Sequence, residues 1–394
     1  MSPIRIAYLS TRDVSDPESH GHYYMAKALA RHVGEVYPIQ LSEVRRSALW
    51  RGARRRLGRA MASAKPVSPL AHSKRLAAKA ETLLEGGSYD VLFLPHGSHV
   101  AAHLNTGAPV VYASDATFRT MHNYYPDFSG LSKQHIQEEE RIAYLATDRA
   151  QLIVHPTEWA AHSSVGDYYA EPSNVTVIPS GGNIEGDAPT FENLMAAKFS
   201  REGVCRLLLV GNDWNRKGGA IAVETVRNLR AMGIDAQLTI CGCRPPAPLR
   251  DSFINIIPWL KKTNAASLAS LHQLYAASHF YLAPSRAECF GLAICEAHAF
   301  ATPVIASNTG GIPEAVTHGE TGLIVPANTP ATAYAEAIAS IWRDPQQHTA
   351  MMEQAKRRYE TRLNWDVWAI KVGNAMQRVL GLQPMVTSGC NGAP

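Results

Sequence analysis

The sequence predicts an α/β protein built from two Rossmann-like, doubly wound domains. An apolar run at Arg5–Ser10 is followed by a polar loop, a glycine and a helical pattern, which is the first unit of such a domain. The same order of strand, glycine-flanked loop and helix begins again at Cys205–Val210. The chain has 394 residues, which is long for one hydrophobic core and comfortable for two.

Composition indicates a globular protein in a reducing compartment. Apolar residues make up 46% of the chain and charged residues 18%. The six cysteines have no metal-finger or CxxC spacing, so we expect buried free thiols. No signal-type segment precedes the first strand, and no apolar run approaches the roughly 20 residues that span a bilayer. We therefore expect a cytoplasmic protein.

Two candidate positions lie in the first half of the chain. Val91–Pro95 and Val110–Ala113 have the pattern of buried strands, and a polar cluster containing Asp115 follows the second. Open α/β sheets bind ligands at the carboxyl ends of their strands, so Asp115 is a candidate catalytic residue. Gly21 follows the first strand and precedes the helix at Tyr23–His32. On its own, this glycine predicts only a turn.

The linker and the domain boundary follow from the loss of periodicity after residue 182. Helices are predicted at 133–148 and 157–169, and strands at 152–155 and 175–178. The polar segment from Asn183 to about Lys198 is interpreted as the interdomain linker. The predicted domains are residues 1–195 and 196–364.

A basic segment, Arg45–Lys79, has the strongest charge bias in the chain. It contains many arginines and lysines but no Asp or Glu, with apolar residues at roughly helical spacing. Such a segment could lie on an anionic lipid surface, bind an acidic glycan or nucleic acid, or form a solvated face or loop. We predict an anionic membrane surface as a partner of this segment and no nucleic acid.

The second half opens with a loop suited to phosphate. Gly211–Gly219 lies between a strand and a helix and contains Arg216 and Lys217. A diphosphate needs a fixed cation beside backbone N–H donors, which this loop supplies. The alternative is an ordinary surface turn.

The stretch Tyr281–Ala301 organises the second half. A short strand ends at Pro284-Ser285, and the chain then passes through Glu288 and Gly291 into a helix that contains Glu296. Backbone N–H groups around Phe290–Leu292 form the helix N-terminus, which attracts an anion, and Gly291 allows a ligand close to the backbone. A carboxylate on either side can then reach the groups attached to a bound phosphate.

The order of these motifs closely resembles the Glu-x7-Glu signature of retaining glycosyltransferases of family 4, which have the GT-B fold. The resemblance covers Pro284-Ser285, Glu288, Phe290-Gly291, Glu296 and the later Gly310–Glu314 segment. It implies two domains that face each other across a cleft, with the acceptor on the N-terminal domain and the nucleotide sugar on the C-terminal one. It also implies that a terminal helix at about 365–385 packs back on the first domain.

The resemblance implies roles for individual residues. Glu288 would contact the donor sugar, and Glu296 would hold the ribose hydroxyls. Lys217 would clamp the diphosphate, while Asn212 stands where relatives have an arginine. The remaining implied donor contacts are Gly21, Gly211, Arg216, Trp259, Leu260, Phe290, Gly291 and Leu292. Many relatives have a histidine at the strand end where this chain has Asp115.

The resemblance implies a retaining, metal-independent glycosyltransferase. The chain has no Asp-x-Asp cluster or His/Cys ligand spacing, so we expect no metal and no cofactor. The donor would be a nucleoside-diphosphate sugar, with UDP favoured over GDP by the family. The acceptor would be a glycan, glycolipid or small molecule, as in bacterial envelope synthesis, and the enzyme could be peripheral at the inner face of the membrane. Alternatives are a nucleotide-sugar epimerase, a phosphorylase-like enzyme or a non-catalytic nucleotide-sugar-binding protein.

Overall fold

The structure is a computed structural model that describes residues 3–19, 21–41, 68–186, 188–199 and 203–383. The first compact unit comprises the described parts of Met1–His155, Ala160–Val177 and Val372–Val386. The second comprises Pro156–Trp159 and the described parts of Ile178–Lys371. Residues 45–67 of the basic segment lie outside the described residues. The predicted boundaries at 195 and 364 divide the chain by function and stay a prediction.

The first unit contains a six-stranded parallel sheet in the order β2-β1-β3-β4-β5-β6. The strands are β1 (Ile4–Ser10), β2 (Gly34–Gln40), β3 (Val91–Pro95), β4 (Val110–Ala113), β5 (Leu152–His155) and β6 (Val175–Val177). The helices of this part of the chain are α1 (Gly21–His32), α2 (Pro69–Leu84), α3 (Ser98–Ala101), α4 (Phe118–Met121), α5 (Lys133–Arg149) and α6 (Glu158–Gly166). Short 3-10 turns lie at Pro17–Ser19, Pro126–Phe128 and Pro172–Asn174. The strand order reverses between β1 and β3, so a ligand crevice is expected at their carboxyl ends.

The second unit contains another six-stranded parallel sheet, in the order β12-β11-β10-β7-β8-β9. Its strands are β7 (Cys205–Val210), β8 (Ala236–Cys241), β9 (Ile254–Ile257), β10 (Phe280–Ala283), β11 (Val304–Ser307) and β12 (Gly322–Val325). The helices of this part are α7 (Phe191–Lys198), α8 (Gly219–Ala231), α9 (Ala265–Ala277), α10 (Leu292–Ala299), α11 (Ile312–Ala315), α12 (Ala331–Trp342), α13 (Pro345–Thr361) and α14 (Trp365–Val379). This strand order is that of the Rossmann fold, with the reversal between β7 and β10. The predicted fold class, α/β with two doubly wound sheets, is confirmed.

Alternating side chains of the second sheet enter separate cores on its two faces. Leu208 and Val210 of β7 belong to a cluster with Phe300 of the α10 end, whereas Leu207 and Leu209 belong to the cluster on the opposite face. Successive residues of a strand point to opposite faces, so an apolar run such as 205–210 is buried on both sides. The helices that cover these faces leave the loops at the strand ends as the positions for chemistry.

Lys198 corrects the predicted linker. Residues 191–198 form the helix α7, whose last residue, Lys198, is fully buried. Its ammonium donates to the backbone oxygens of Ser278 and Tyr275 and, at 2.8 Å, to Oγ1 of Thr302. Burial lowers the pKa of Lys198 well below its ordinary value. The segment is therefore a structural part of the second unit.

Several elements of the first unit were not predicted, among them β2 and α2. β2 pairs with β1 over its whole length at the edge of the sheet, and it contains Pro38. The helix α2 includes the last charged residues of the basic segment, Lys74, Arg75 and Lys79. In the part of the chain that the structure describes, no helix is both long and apolar enough to cross a bilayer. The five cysteines within that part are free and buried, as the sequence predicts.

Candidate functional site

The loop after β7 is shaped around Lys217. Asp213 Oδ1 accepts from the Arg216 backbone N–H at 2.9 Å, and Asp213 O accepts from the Lys217 N–H at 3.0 Å. Gly218 has φ +73° and precedes α8. A Cβ on Gly218 would lie 2.0 Å from Pro284 O, so only glycine lets this loop approach the loop after β10 so closely. The two loops at the strand reversal are thus held together by backbone geometry.

Lys217, Arg216 and Glu288 form one ion cluster between these loops. Lys217 Nζ and Arg216 Nη1 both bind Glu288 Oε2, the arginine at 3.4 Å. Arg216 Nη1 also donates to Ala287 O at 3.1 Å. The three side chains are between 13% and 16% exposed, so solvent screens their charges only weakly. The cluster has two positive charges against one negative charge.

The helix α10 begins beside this cluster. Gly291 has φ +100° and precedes Leu292, the first helical residue, with no side chain capping the helix. Its backbone N–H groups and the positive end of its dipole therefore face the loop that carries Glu288. Phe290 is buried and anchors the turn in the core. The predicted anion site at the N-terminus of this helix has the expected backbone form.

Glu296 is held in place from two sides. Lys262 Nζ lies 2.5 Å from its Oε1, and the Tyr275 hydroxyl donates to its Oε2 at 2.9 Å. Lys262 Nζ also donates to Asn183 O at 3.0 Å. Glu296 is only 5% exposed, and burial together with this carboxylate raises the pKa of Tyr275 well above its ordinary value. Each carboxylate oxygen has a further lone pair that could accept a hydrogen bond from a hydroxyl group.

The other predicted donor residues lie around the same strand ends. Trp259 is 40% exposed and packs on the backbone at Gly242, while Leu260 packs against the core. Asn212 is exposed. A Cβ on Gly211 would lie 2.7 Å from Lys217 Cγ, so this glycine makes room for the lysine stem.

In the first unit, Asp115 is paired with His96. Asp115 Oδ1 lies 3.3 Å from His96 Nδ1, with the side chains 46% and 36% exposed. Burial alone would raise the pKa of Asp115, but the charge and hydrogen bond of His96 outweigh it and lower that pKa. Burial alone would lower the pKa of His96, but the charge and hydrogen bond of Asp115 outweigh it and raise that pKa. This pair at the ends of β3 and β4 could exchange a proton with a bound hydroxyl group.

Gly21 is the first residue of α1 and not part of the preceding loop. The next residue, His22, is buried, and its Nδ1 lies 2.9 Å from Ser10 Oγ at the end of β1. The His22 and His96 rings are 5.2 Å apart. His155, at the end of β5, is fully buried, and burial lowers its pKa to about 4. His155 is therefore a neutral structural residue, whereas His96 and Asp115 reach solvent.

Some residues of these sites were predicted from the sequence, and others were missed. Lys262 and Tyr275 were missed because each meets Glu296 across more than 20 residues and no local pattern marks the contact. His96 directly follows the predicted strand Val91–Pro95, but its pairing with Asp115 depends on the strand order. Among the described residues, no group of three or more His, Cys, Asp or Glu side chains could hold a metal ion. Metal independence stays a prediction.

Comparisons with known proteins found matches to glycosyltransferases. Residues 205–344 match the family model described as Glycosyl transferases group 1. A D-inositol 3-phosphate glycosyltransferase of Corynebacterium kroppenstedtii is 27% identical over 263 residues. That match covers 62% of this chain and 57% of the relative, so the chain matches a little over half of the relative's length.

Two solved structures share the fold along nearly the whole chain. Sucrose-phosphate synthase from Thermosynechococcus elongatus has a TM-score of 0.66 at 18% identity, covering 97% of this chain and 100% of that one. The Anabaena protein HepE in complex with UDP and glucose has a TM-score of 0.62 at 16% identity, covering 95% and 99%. At these identities the likeness concerns the fold. The chain therefore has the GT-B fold, as its resemblance to family 4 predicts, and residues 205–344, which contain the second sheet, are similar to the glycosyl transferases group 1 family.

Proposed function

We propose that this protein is a retaining glycosyltransferase that uses a nucleoside-diphosphate sugar. The observation that carries the proposal is the convergence of Lys217, Arg216 and Glu288 beside the N-terminus of α10. A fixed lysine, a neighbouring guanidinium and open backbone N–H groups are the donors that a diphosphate needs. Glu296, held on the same helix, supplies the acceptor for ribose hydroxyls.

In this proposal, the second unit stabilises the leaving group. As the bond between sugar and phosphate breaks, negative charge grows on the diphosphate. Lys217, Arg216 and the N–H groups around Phe290–Leu292 are already in place to meet that charge, which is the most effective use of fixed dipoles and cations. Arg216 takes the part of the arginine that relatives have at the position of Asn212, because its Nη1 shares Glu288 with Lys217.

Retention follows in this proposal from attack on the same face that the diphosphate leaves. An oxygen of the departing phosphate takes the proton of the acceptor hydroxyl, so the protein need not supply a second carboxylate at the reacting carbon. In this proposal Glu288 and Glu296 are not a glycosidase pair, because that chemistry needs both carboxyls roughly 5–10 Å apart across one bond, whereas Glu296 holds the ribose and not the reacting carbon. Glu288 instead accepts from hydroxyls of the donor sugar.

The first unit would bind the acceptor. Asp115 and His96 lie at strand ends, partly exposed, and can accept from or donate to a hydroxyl group. The acceptor is a glycan, a glycolipid or a small molecule; the relative named for D-inositol 3-phosphate supports the last class. The family resemblance favours a role in bacterial envelope synthesis at the inner face of the membrane.

UDP is the proposed nucleotide, and the neighbour described with UDP and glucose supports it. The test is a thermal-shift panel of UDP, GDP, ADP and TDP against the parent protein, Lys217→Ala and the control Lys261→Ala. A nucleotide at 100 times its dissociation constant stabilises by about 2.7 kcal/mol. We expect UDP to stabilise the parent and the control but not Lys217→Ala. No response of the parent to any nucleotide would refute the proposed function.

The anomeric outcome is a separate test. Once the accepted donor sugar is known, NMR of the product distinguishes retention from inversion by the coupling constant of the anomeric proton. A product of inverted configuration would refute the retaining mechanism while leaving the donor site intact.

A further inference from the structure

Glu288 occupies the cations that the proposed diphosphate would need. Its Oε2 accepts from both Lys217 Nζ and Arg216 Nη1. All three side chains are more than four-fifths buried, so the attraction between them is stronger than that of an exposed ion pair. A diphosphate that binds here therefore competes with a carboxylate of the protein itself.

The loops keep Glu288 next to Lys217. The Arg286 backbone N–H donates to Arg216 O at 2.7 Å, and Arg216 Nη1 donates to Ala287 O at 3.1 Å. These bonds join the loop that carries Arg216 and Lys217 to the loop that carries Glu288. The close approach of Gly218 to Pro284 adds a third contact. Glu288 thus remains near Lys217 whenever these backbone contacts are formed.

We propose that Glu288 makes the site bind the sugar-free nucleotide more weakly than it otherwise would, and so speeds product release. The inference rests on the proposed function, because it takes the cation site to hold the diphosphate of a nucleotide sugar. A sugar attached to the terminal phosphate lies next to the cations, and its hydroxyl groups can donate to Glu288. The carboxylate is then neutralised in part by the sugar, and Lys217 is available to the diphosphate.

After transfer, the sugar hydroxyls leave with the acceptor. Glu288 then keeps its contacts with Lys217 and Arg216, and it stands beside the negative charge of the free diphosphate. Repulsion between the two anions, and their competition for the same cations, weakens binding of the product. Release of product limits the rate of many enzymes, and where it does so here this competition has a direct effect on turnover.

The structural alternative is that Glu288 only clamps the two loops. The two roles predict opposite changes in the affinity for UDP when Glu288 is replaced by Gln. A clamp that is weakened by Glu288→Gln disturbs the cation loop and lowers the affinity for UDP and UDP-glucose alike. Removal of a competing charge raises the affinity for UDP, while loss of an acceptor for the sugar lowers the affinity for UDP-glucose.

The experiment is isothermal titration of UDP and UDP-glucose into the parent, Glu288→Gln and Glu296→Gln. For Glu288→Gln we expect UDP to bind about tenfold more tightly and to dissociate more slowly, with UDP-glucose no tighter than in the parent. Glu296→Gln is the matched control, because a change at the ribose weakens both ligands alike and leaves their ratio unchanged. If GDP is the nucleotide that stabilises the protein, GDP and GDP-glucose replace the uridine pair.

The outcomes are distinguishable. Equal or weaker binding of UDP to Glu288→Gln, with nucleotide binding to the parent intact, overturns this inference alone. A parent that binds no nucleotide refutes the proposed function and this inference with it. If Glu288→Gln does not fold, Glu288→Ser removes the same charge with a smaller side chain, and the same rise in UDP affinity is required of it.

Discussion

Lys262 and Glu296 form an ion pair, 2.5 Å from Nζ to Oε1, between the segment after β9 and the helix α10. The side chains are 12% and 7% exposed, so the pair is shielded from solvent. Its second function is to tie Glu296 to the backbone of Asn183 through the same ammonium group. The carboxylate that we assign to the ribose is therefore oriented before any ligand binds.

The first prediction concerns Lys262. We expect Lys262→Met to weaken nucleotide binding about tenfold, because the buried carboxylate loses its counter-ion and its fixed orientation. Isothermal titration with UDP measures the change. Lys261→Met is the matched control, since Lys261 is the exposed neighbour in sequence and should bind as the parent does. Equal affinities of the two variants would contradict the role of Lys262.

The second prediction separates backbone strain from steric clash. Gly218 and Gly233 have φ of +73° and +80°, but only Gly218 faces an atom, Pro284 O, within van der Waals distance of an added Cβ. We expect Gly233→Ala to destabilise the protein by about 1 kcal/mol and Gly218→Ala by at least about 2–3 kcal/mol. Chemical denaturation followed by fluorescence measures both. Similar losses in the two variants would show that the loops yield to the added methyl group.

The third prediction concerns the pair of Asp115 and His96. Because the carboxylate raises the pKa of His96, Asp115→Asn should lower that pKa. NMR titration of the His96 ring measures the change directly. Because the pKa of His96 is raised above its ordinary 6.5, protonated His96 stabilises the folded protein at pH values below 6.5. This stabilisation is lost as the pH rises through the pKa that His96 has in the folded protein. An unchanged pKa in Asp115→Asn would show that solvent screens the pair.

A second substitution of Asp115 tests the proposed acceptor role. Asp115→Ala should lower turnover with UDP still bound at parental affinity, because Asp115 belongs to the first unit and the assigned nucleotide residues to the second. A turnover assay and a UDP titration on the same preparation measure the two effects. Parental turnover in the variant would remove Asp115 from the catalytic residues.

The fourth prediction concerns acid stability. Burial lowers the pKa of His279 to about 3 and that of His348 to about 4. Both must bind a proton on unfolding at mildly acidic pH, so their contribution is full above the ordinary pKa of 6.5 and is lost as pH falls toward 4. Each can add up to about 1.4 kcal/mol per pH unit to the slope. We expect the free energy of unfolding to change less between pH 6 and pH 4.5 in His348→Gln, whose amide can still donate to His279 O. Chemical denaturation at several pH values measures this change, and the same pH dependence in the parent and the variant would contradict the prediction.

Much of the second unit could be predicted from its sequence because its strands are apolar on both faces. The run at 205–210 and the stretch 281–301 are short, continuous and bounded by glycine or proline, so strand and helix ends fall within a residue or two of those predicted. The residues Lys217, Glu288 and Glu296 follow from the same motif order, and the structure brings Glu288 to Lys217. Their roles in binding and catalysis stay predictions.

The elements that were missed lack such a local signal. β2 is an edge strand, half-exposed and interrupted by Pro38, which an edge tolerates because its N–H side need not pair. α7 has mixed polar and apolar residues, and its position depends on contacts of Lys198 with residues 77 to 104 positions away. Lys262 likewise meets Glu296 from 34 positions away. No window of sequence contains both partners of such contacts.

The burial of Lys198 determines where the chain can be cut. The family match begins at residue 205, after α7, yet the ammonium of Lys198 is the donor for backbone oxygens and a hydroxyl inside the second unit. The backbone oxygen of the same residue also accepts from Arg206. A fragment that starts at 203 would remove this buried donor, and a buried group that finds no other partner costs about 1–3 kcal/mol. For separate expression of the second unit, the natural starting point is therefore Ile178, ahead of the helix that carries the lysine.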